Sequence, residues 1–242
     1  MDLTDRRILV IGGGSGIGHE VAQAAIRAGA GVTVASSNAE KIKTAAAQLG
    51  NRAEAATLDV TRETDVADFF AGRPRFDHIA FTAGDWGGPR RGPLADLDLD
   101  QAHTLFNVRF WGAVAVAKHG ATTLPAGGSL TLTDGMIAHR PQKGSAISTA
   151  MTGAVEHLTR ALAVEYAPVR VNAVCPGLVR TGVWDRIPAE RRDDELKQMT
   201  NRQLLPRVGE PDEIAQAYLY LMRGTYTTGQ VLYVEGGRAL GN

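Results

Sequence analysis

Ile8-Leu9-Val10-Ile11-Gly12-Gly13-Gly14-Ser15-Gly16-Ile17-Gly18 is the stretch that decides the fold. Four aliphatic residues in a row read as a buried strand. The glycines let the chain turn tightly and bring its backbone close to a ligand. From Gly16 to Ala28 the pattern is helical, and Gly29 ends it. A strand, a glycine loop and a helix start together make an anion site. The first helical N–H groups lack partners, and the positive end of the helix dipole faces the loop. The pyrophosphate of a dinucleotide suits such a place. A lone glycine motif is weak evidence, so the rest of the chain has to agree with it.

The later runs do agree. Val32–Ala35, Ala53–Leu58, Ile79–Thr82, Leu130–Thr133, Val169–Val174 and Val231–Val234 are short apolar strands. Helical patterns separate several of them: Ala39–Leu49 ended by Gly50, a long helix from about Leu99 to His119, and 148–166. Met151, Val155, Leu158 and Leu162 share one face of the last. This alternation predicts an α/β fold, a doubly wound seven-stranded parallel sheet with helices on both faces. The chain shows no repeat or linker, so residues 1–242 are expected to form one domain. The segment 182–205 is polar with little periodicity, and is expected to be a long loop serving as a substrate lid.

Composition bounds the function. The 26 basic residues balance the 26 acidic ones, which argues against a nucleic-acid or anionic-membrane footprint. The single Cys175 excludes an intramolecular disulfide framework and suits a reducing cytoplasm. No stretch reaches the roughly 18 apolar residues of a membrane span. No metal-ligand set is assigned.

Several motifs together resemble the short-chain dehydrogenase/reductase family, whose fold is Rossmann-like. Gly12, Gly16 and Gly18 match its glycine spacing, with Ile11 where Thr is usual. Asp59-Val60 and Thr82-Ala83-Gly84 follow the third and fourth strands as in that family, with Thr82 for the usual Asn. Arg170-Val171-Asn172-Ala173-Val174-Cys175-Pro176-Gly177 with Thr181, then Pro206–Ala215 and Glu235-Gly236-Gly237, complete a resemblance across essentially the whole chain. It implies a dinucleotide held by Gly12, Gly14, Ser15, Gly16, Ile17, Gly18, Ser36, Ser37, Asn38, Asp59, Val60, Thr82, Ala83, Gly84, Pro176, Gly177 and Thr181. The second strand ends in Ala35-Ser36-Ser37-Asn38, with no carboxylate before Glu40. NAD enzymes place an acid there for the ribose hydroxyls, while small hydroxyls leave room for a 2′-phosphate. NADP(H) is therefore favoured over NAD(H), although the arginine of many NADP-binding relatives is absent. The long helices resemble those that pair subunits in the family, so a homodimer or homotetramer is expected.

The catalytic residues of that family are missing. Its Tyr and Lys align with Ser148 and Thr152, and its Ser aligns with Gly135, thirteen positions before Ser148 as the family requires. All five tyrosines come later in the chain, so none can stand in. A serine hydroxyl is a far weaker acid than an activated phenol, and a missing acid forfeits about 10²–10⁴ in rate. Asn107 matches the family's helix Asn, which would anchor a water, or would merely steady the helix. Asp134, His139 and Lys143 are candidate substitutes for the acid, alongside a water held by Ser148 or the substrate itself. Each also has a plain reading, as a turn cap or a solvated loop residue. Trp86 and Trp184 could wall a pocket for an apolar or aromatic substrate. Three functions stay open: an NADP(H)-dependent oxidoreductase acting on a small carbonyl or alcohol by an altered route, a dinucleotide-binding sensor or oligomer partner without turnover, and a non-redox lyase, cyclase or isomerase. The first is preferred.

Overall fold

The computed structural model describes residues 2–84 and 92–241. Trp86 falls outside the described residues. Seven parallel strands form one sheet in the order β3-β2-β1-β4-β5-β6-β7. They are β1 (Arg7–Ile11), β2 (Gly31–Ser36), β3 (Ala53–Thr57), β4 (His78–Phe81), β5 (Ser129–Thr133), β6 (Arg170–Pro176) and β7 (Val231–Val234). The strand order reverses between β1 and β4, which leaves a crevice at their carboxyl ends.

Strand alternation builds the two layers. Leu9, Ile11, Ile79, Phe81, Val171 and Ala173 face one core, against α3 (Glu63–Ala71), α5 (Gly112–Gly120) and α6 (Ala146–Glu165). Ile8, Val10, Ala80 and Val174 face the other, against α1 (Gly16–Arg27), α2 (Ala39–Leu49) and α8 (Pro211–Arg223). A sheet buried on both faces needs continuous apolar strands, which is why these runs were readable. Gly29 and Gly50 follow helices α1 and α2 with φ of +92° and +89°, a conformation that suits glycine. No helix among the described residues is long and apolar enough to cross a membrane.

Two expectations are corrected. The regular helix expected from Leu99 to His119 is broken into a short α4 (Leu99–Ala102), a 3₁₀ turn (His103–Leu105), a π-helical turn (Asn107–Trp111) and then α5. Single π turns recur at functional sites. This one carries Arg109, which is 2% exposed, into the interior. The expected loop 182–205 contains a 3₁₀ turn (Gly182–Trp184) and helix α7 (Ala189–Thr200). Helix α7 buries only Leu196 and Thr200, so its apolar stripe is too thin to register in the sequence. Trp184, Leu196 and Val208 form a small apolar cluster of their own beneath it.

Candidate cofactor cleft and substrate pocket

The glycine loop is built for close approach. Thr82 ties it to β4: its backbone N–H and its hydroxyl both donate to the Ile11 carbonyl, at 2.8 and 2.9 Å. Any side chain at Gly18 would collide with the Gly12 carbonyl and the Thr82 hydroxyl. No side chain caps helix α1; the Ser15 hydroxyl instead accepts from Lys41 Nζ at 2.9 Å. The N–H groups of the first turn are thus left to whatever enters the cleft.

That cleft has a volume of about 880 Å³ at the carboxyl ends of the strands. It is bordered by Gly12, Gly14, Ser15, Gly16, Ile17, Gly18, Ser36, Ser37, Asp59, Val60, Thr82, Ala83, Gly84, Pro176 and Thr181, fifteen of the seventeen positions expected at a dinucleotide. The other two lie elsewhere. Asn38 caps α2, its side-chain oxygen accepting from the Lys41 N–H at 2.9 Å. Gly177 borders a second cleft. Hydrogen bonds from the Thr61 hydroxyl and N–H hold the Asp59 carboxyl below its usual range, so it is ionised at neutral pH.

The second cleft, about 270 Å³, adjoins the first and shares Ile17, Pro176, Thr181, Val183 and Arg186 with it. Gly135, Met136, Ile137 and Trp184 form other walls. Trp184 is held by its indole N–H, which donates to the Val179 carbonyl at 2.7 Å. A single continuous space therefore joins a dinucleotide-sized cleft to a smaller, largely apolar pocket.

The residues considered as acids do not meet in this space. Ser148 is buried, and its hydroxyl donates to the Ser145 carbonyl at 3.0 Å. Thr152 is buried too, donating to the carbonyls of Ser148 and Thr149. Both hydroxyls are turned back into their own helix, and neither residue borders either cleft. A water held by Ser148, one of the candidate proton sources, has no support in this placement. Asn107, half-buried at the start of the π turn, and Lys143, exposed, also border neither.

Asp134 and His139 belong to a polar cluster in which Asp134, Glu156 and Cys175 are buried, while His139 and Tyr233 close it on the solvent side. The donor atoms of Asp134, His139, Glu156 and Cys175 lie within 4.8 Å of one another. His139 Nε2 is hydrogen-bonded to Glu156 and lies 3.0 Å from the Tyr233 hydroxyl. The Asp134 carboxyl faces Glu156 and the backbone N–H of Gly135. Two carboxyls can bond only if one keeps its proton. Burial, and then Glu156, push Asp134 up to about 8, so it holds the proton at neutral pH. Burial acts to raise Glu156 as well, but hydrogen bonds to Asp134 and His139 outweigh it and keep Glu156 ionised. Burial drives the Cys175 thiol far up, so it is inert as a nucleophile.

Sequence reading missed two cations. Lys41 borders the large cleft beside Ser36 and Ser37; a lysine one turn into a helix reads as an ordinary surface residue. Arg109 borders the same cleft from below, donating to the carbonyls of Thr133 at 3.2 Å and Asp134 at 2.9 Å. A side chain at Gly84 would run into its guanidinium. Burial lowers Arg109 to about 10, which leaves it charged at neutral pH. Only the π turn brings it here, and that turn has no sequence signature.

Comparison with known proteins agrees with this arrangement. Residues 12–239 match the family model described as Enoyl-(Acyl carrier protein) reductase. The short-chain dehydrogenase/reductase ucsE of an Acremonium species is 36% identical, covering 97% of this chain and 96% of its own. A small-chain dehydrogenase solved in complex with NADPH is 34% identical, with a TM-score of 0.81 over 98% of this chain and all of its own. The MalC Reductase/Diels-Alderase of Malbranchea aurantiaca is 33% identical, with a TM-score of 0.91 over 98% of both chains. By fold, glycine loop and full-length similarity, the chain belongs to the short-chain dehydrogenase/reductase family.

Proposed function

We propose that the protein is an NADP(H)-dependent oxidoreductase that moves a hydride to or from a small carbonyl or alcohol, without the family's usual Tyr, Lys and Ser. The observation that carries this reading is the junction of the two clefts at Pro176, Thr181 and Val183. The glycine loop and the start of α1 suit the pyrophosphate, and Asp59 suits a donor on the adenine. When bound, the reduced nicotinamide supplies the hydride.

Lys41, Ser36 and Ser37 support the preference for NADP(H). They offer one cation and two hydroxyls where an NAD enzyme carries an acid. Lys41→Glu is expected to weaken NADPH binding about 10- to 100-fold, and NADH binding by less than about threefold. Titration of both nucleotides by fluorescence checks this. Equal losses for the two would remove Lys41 from 2′-phosphate recognition.

Arg109 takes over the electrostatic part of the missing lysine's work. It places a positive charge in the wall of the large cleft, beside Thr133, which supports a role in stabilising negative charge that develops on a carbonyl oxygen during hydride transfer. Tyr and His are absent from the described residues bordering either cleft. In this reading the proton comes from solvent or from the substrate itself. A carbonyl and alcohol screen monitored at the NADPH absorbance tests the activity. A broad screen without cofactor turnover would reject it.

One observation favours a second reading, a non-redox reaction in the same pocket. A full-length neighbour in structure carries both a reductase and a Diels-Alderase in its name, and such a reaction would need none of the missing groups. Product formation with no NADPH consumption would select it. We further propose a homodimer or homotetramer, supported by Trp111 in the π turn and Val164 in α6, which stand 58% and 83% exposed.

A further inference from the structure

We propose that the smaller cleft takes a substrate with an apolar body and a carboxylate, and that Arg186 recognises the carboxylate. This rests on the reading of that cleft as the substrate side. The cleft is near the lower end of the size range of small-ligand sites, about 300–1,000 Å³, so the substrate is small. Met136, Ile137, Val183 and Trp184 give it apolar walls.

Its charge is one-sided. Arg140, Arg186 and Arg238 border it, and no aspartate or glutamate does among the described residues. The chain as a whole has no basic surplus, so three guanidiniums at one small pocket are a local feature. Two of the three are occupied. Arg140 donates to the carbonyls of Arg238 and Gly241. Arg238 donates to the Met199 carbonyl at 2.8 Å and the Gln203 side chain at 3.1 Å.

Arg186 is different. It has no hydrogen bond or ion pair among the described residues, and its guanidinium lies 5.4 Å from the centre of the Trp184 ring. Trp184 is itself fixed by its bond to Val179. Contact with an aromatic ring steadies a guanidinium without using its N–H donors. The result is a positioned fork whose donors are uncommitted among the described residues, the geometry that binds a carboxylate through two hydrogen bonds. A phosphate of the cofactor is the rival anion, since Arg186 also borders the larger cleft. Two features favour the substrate. The phosphates already have the start of α1, and the tryptophan beneath Arg186 borders the smaller cleft and not the larger.

The test uses protein saturated with NADPH and three matched pairs of non-reducible ligands: butyrate, 4-phenylbutyrate and octanoate, each against its primary amide. Isothermal titration calorimetry is expected to show at least one acid binding about tenfold or more tighter than its amide. Arg186→Gln should erase that difference, while NADPH and the amides bind as before. The proposal is overturned if no acid outbinds its amide. It is overturned equally if Arg186→Gln weakens NADPH as much as it weakens the acid, which would give the guanidinium to the cofactor. Failure of the cofactor reading is separate and shows earlier, as no NADPH bound in the loading step.

Discussion

Arg109→Met is expected to lower kcat about 10²–10³-fold with the best substrate of the carbonyl screen, the usual cost of removing one positioned electrostatic donor. Methionine fills much of the same volume, so the loss isolates the charge and its hydrogen bonds. The affinity for NADPH should change by less than about tenfold, because Lys41 and the α1 start are untouched. Arg109→Lys keeps the charge but cannot bond the Thr133 and Asp134 carbonyls with the same planar fork. It should recover only part of the rate. A thermal melt of each variant separates catalysis from folding, since two carbonyls lose their donor. Activity of Arg109→Met within about threefold of wild type would remove the guanidinium from the chemistry.

Asp134→Asn is expected to stabilise the protein at pH 8 and to flatten its stability against pH. The Asp134 carboxyl rises from an ordinary 3.8 to about 8 on folding. Between those values the native state holds a proton that the unfolded chain has released. Stability therefore falls as pH rises through that window, by at most about 1.4 kcal/mol per pH unit for one proton. Glu156 acts in the opposite sense. Its lowered pKa contributes stability above the ordinary 4.5, and that contribution is lost as pH falls below it. Burial also lowers His78 from 6.5 to about 4, which raises stability as pH climbs to about 6.5, but that effect is common to both proteins, so their difference isolates Asp134. Asparagine carries no charge at any pH, and its amide donates to Glu156. The expected gain at pH 8 is a few kcal/mol, roughly 5 °C or more in Tm for a chain of this size, and the gain at pH 5 is clearly smaller. Parallel Tm curves for the two proteins from pH 5 to 8 would show that the pair does not share a proton.

The sheet was legible because its physics is local. Strands buried on both faces run largely apolar, so Ile8–Ile11 stands out, with one residue of fraying; Leu130–Thr133 alternates leucine with two buried threonines and is legible from its β-branched residues. The glycine loop was legible for a similar reason, since few residue types tolerate its turns. Helices were less so. Helix α3 has three buried residues, Val66, Phe69 and Phe70, and was passed over beside longer patterns. Helix α7 reads as loop because it is largely solvated. At the site, the positions lining the cofactor cleft followed from the loop and the strand ends. The cations did not. Lys41 and Arg109 reach the cleft through helix placement, and Arg109 through a π turn that no periodicity reveals. The absence of Tyr and Lys was visible at once. That the Ser148 and Thr152 hydroxyls turn into their own helix is a matter of rotamer and burial, which only coordinates supply.

On this reading the large cleft is a working NADP(H) site in a protein that lacks the family's catalytic residues. Calorimetric titration of the purified protein with NADPH tests it most directly, before any substrate is known. One site per chain is expected, with affinity in the micromolar range and NADH at least about tenfold weaker. No binding of either nucleotide up to about 1 mM would contradict the claim.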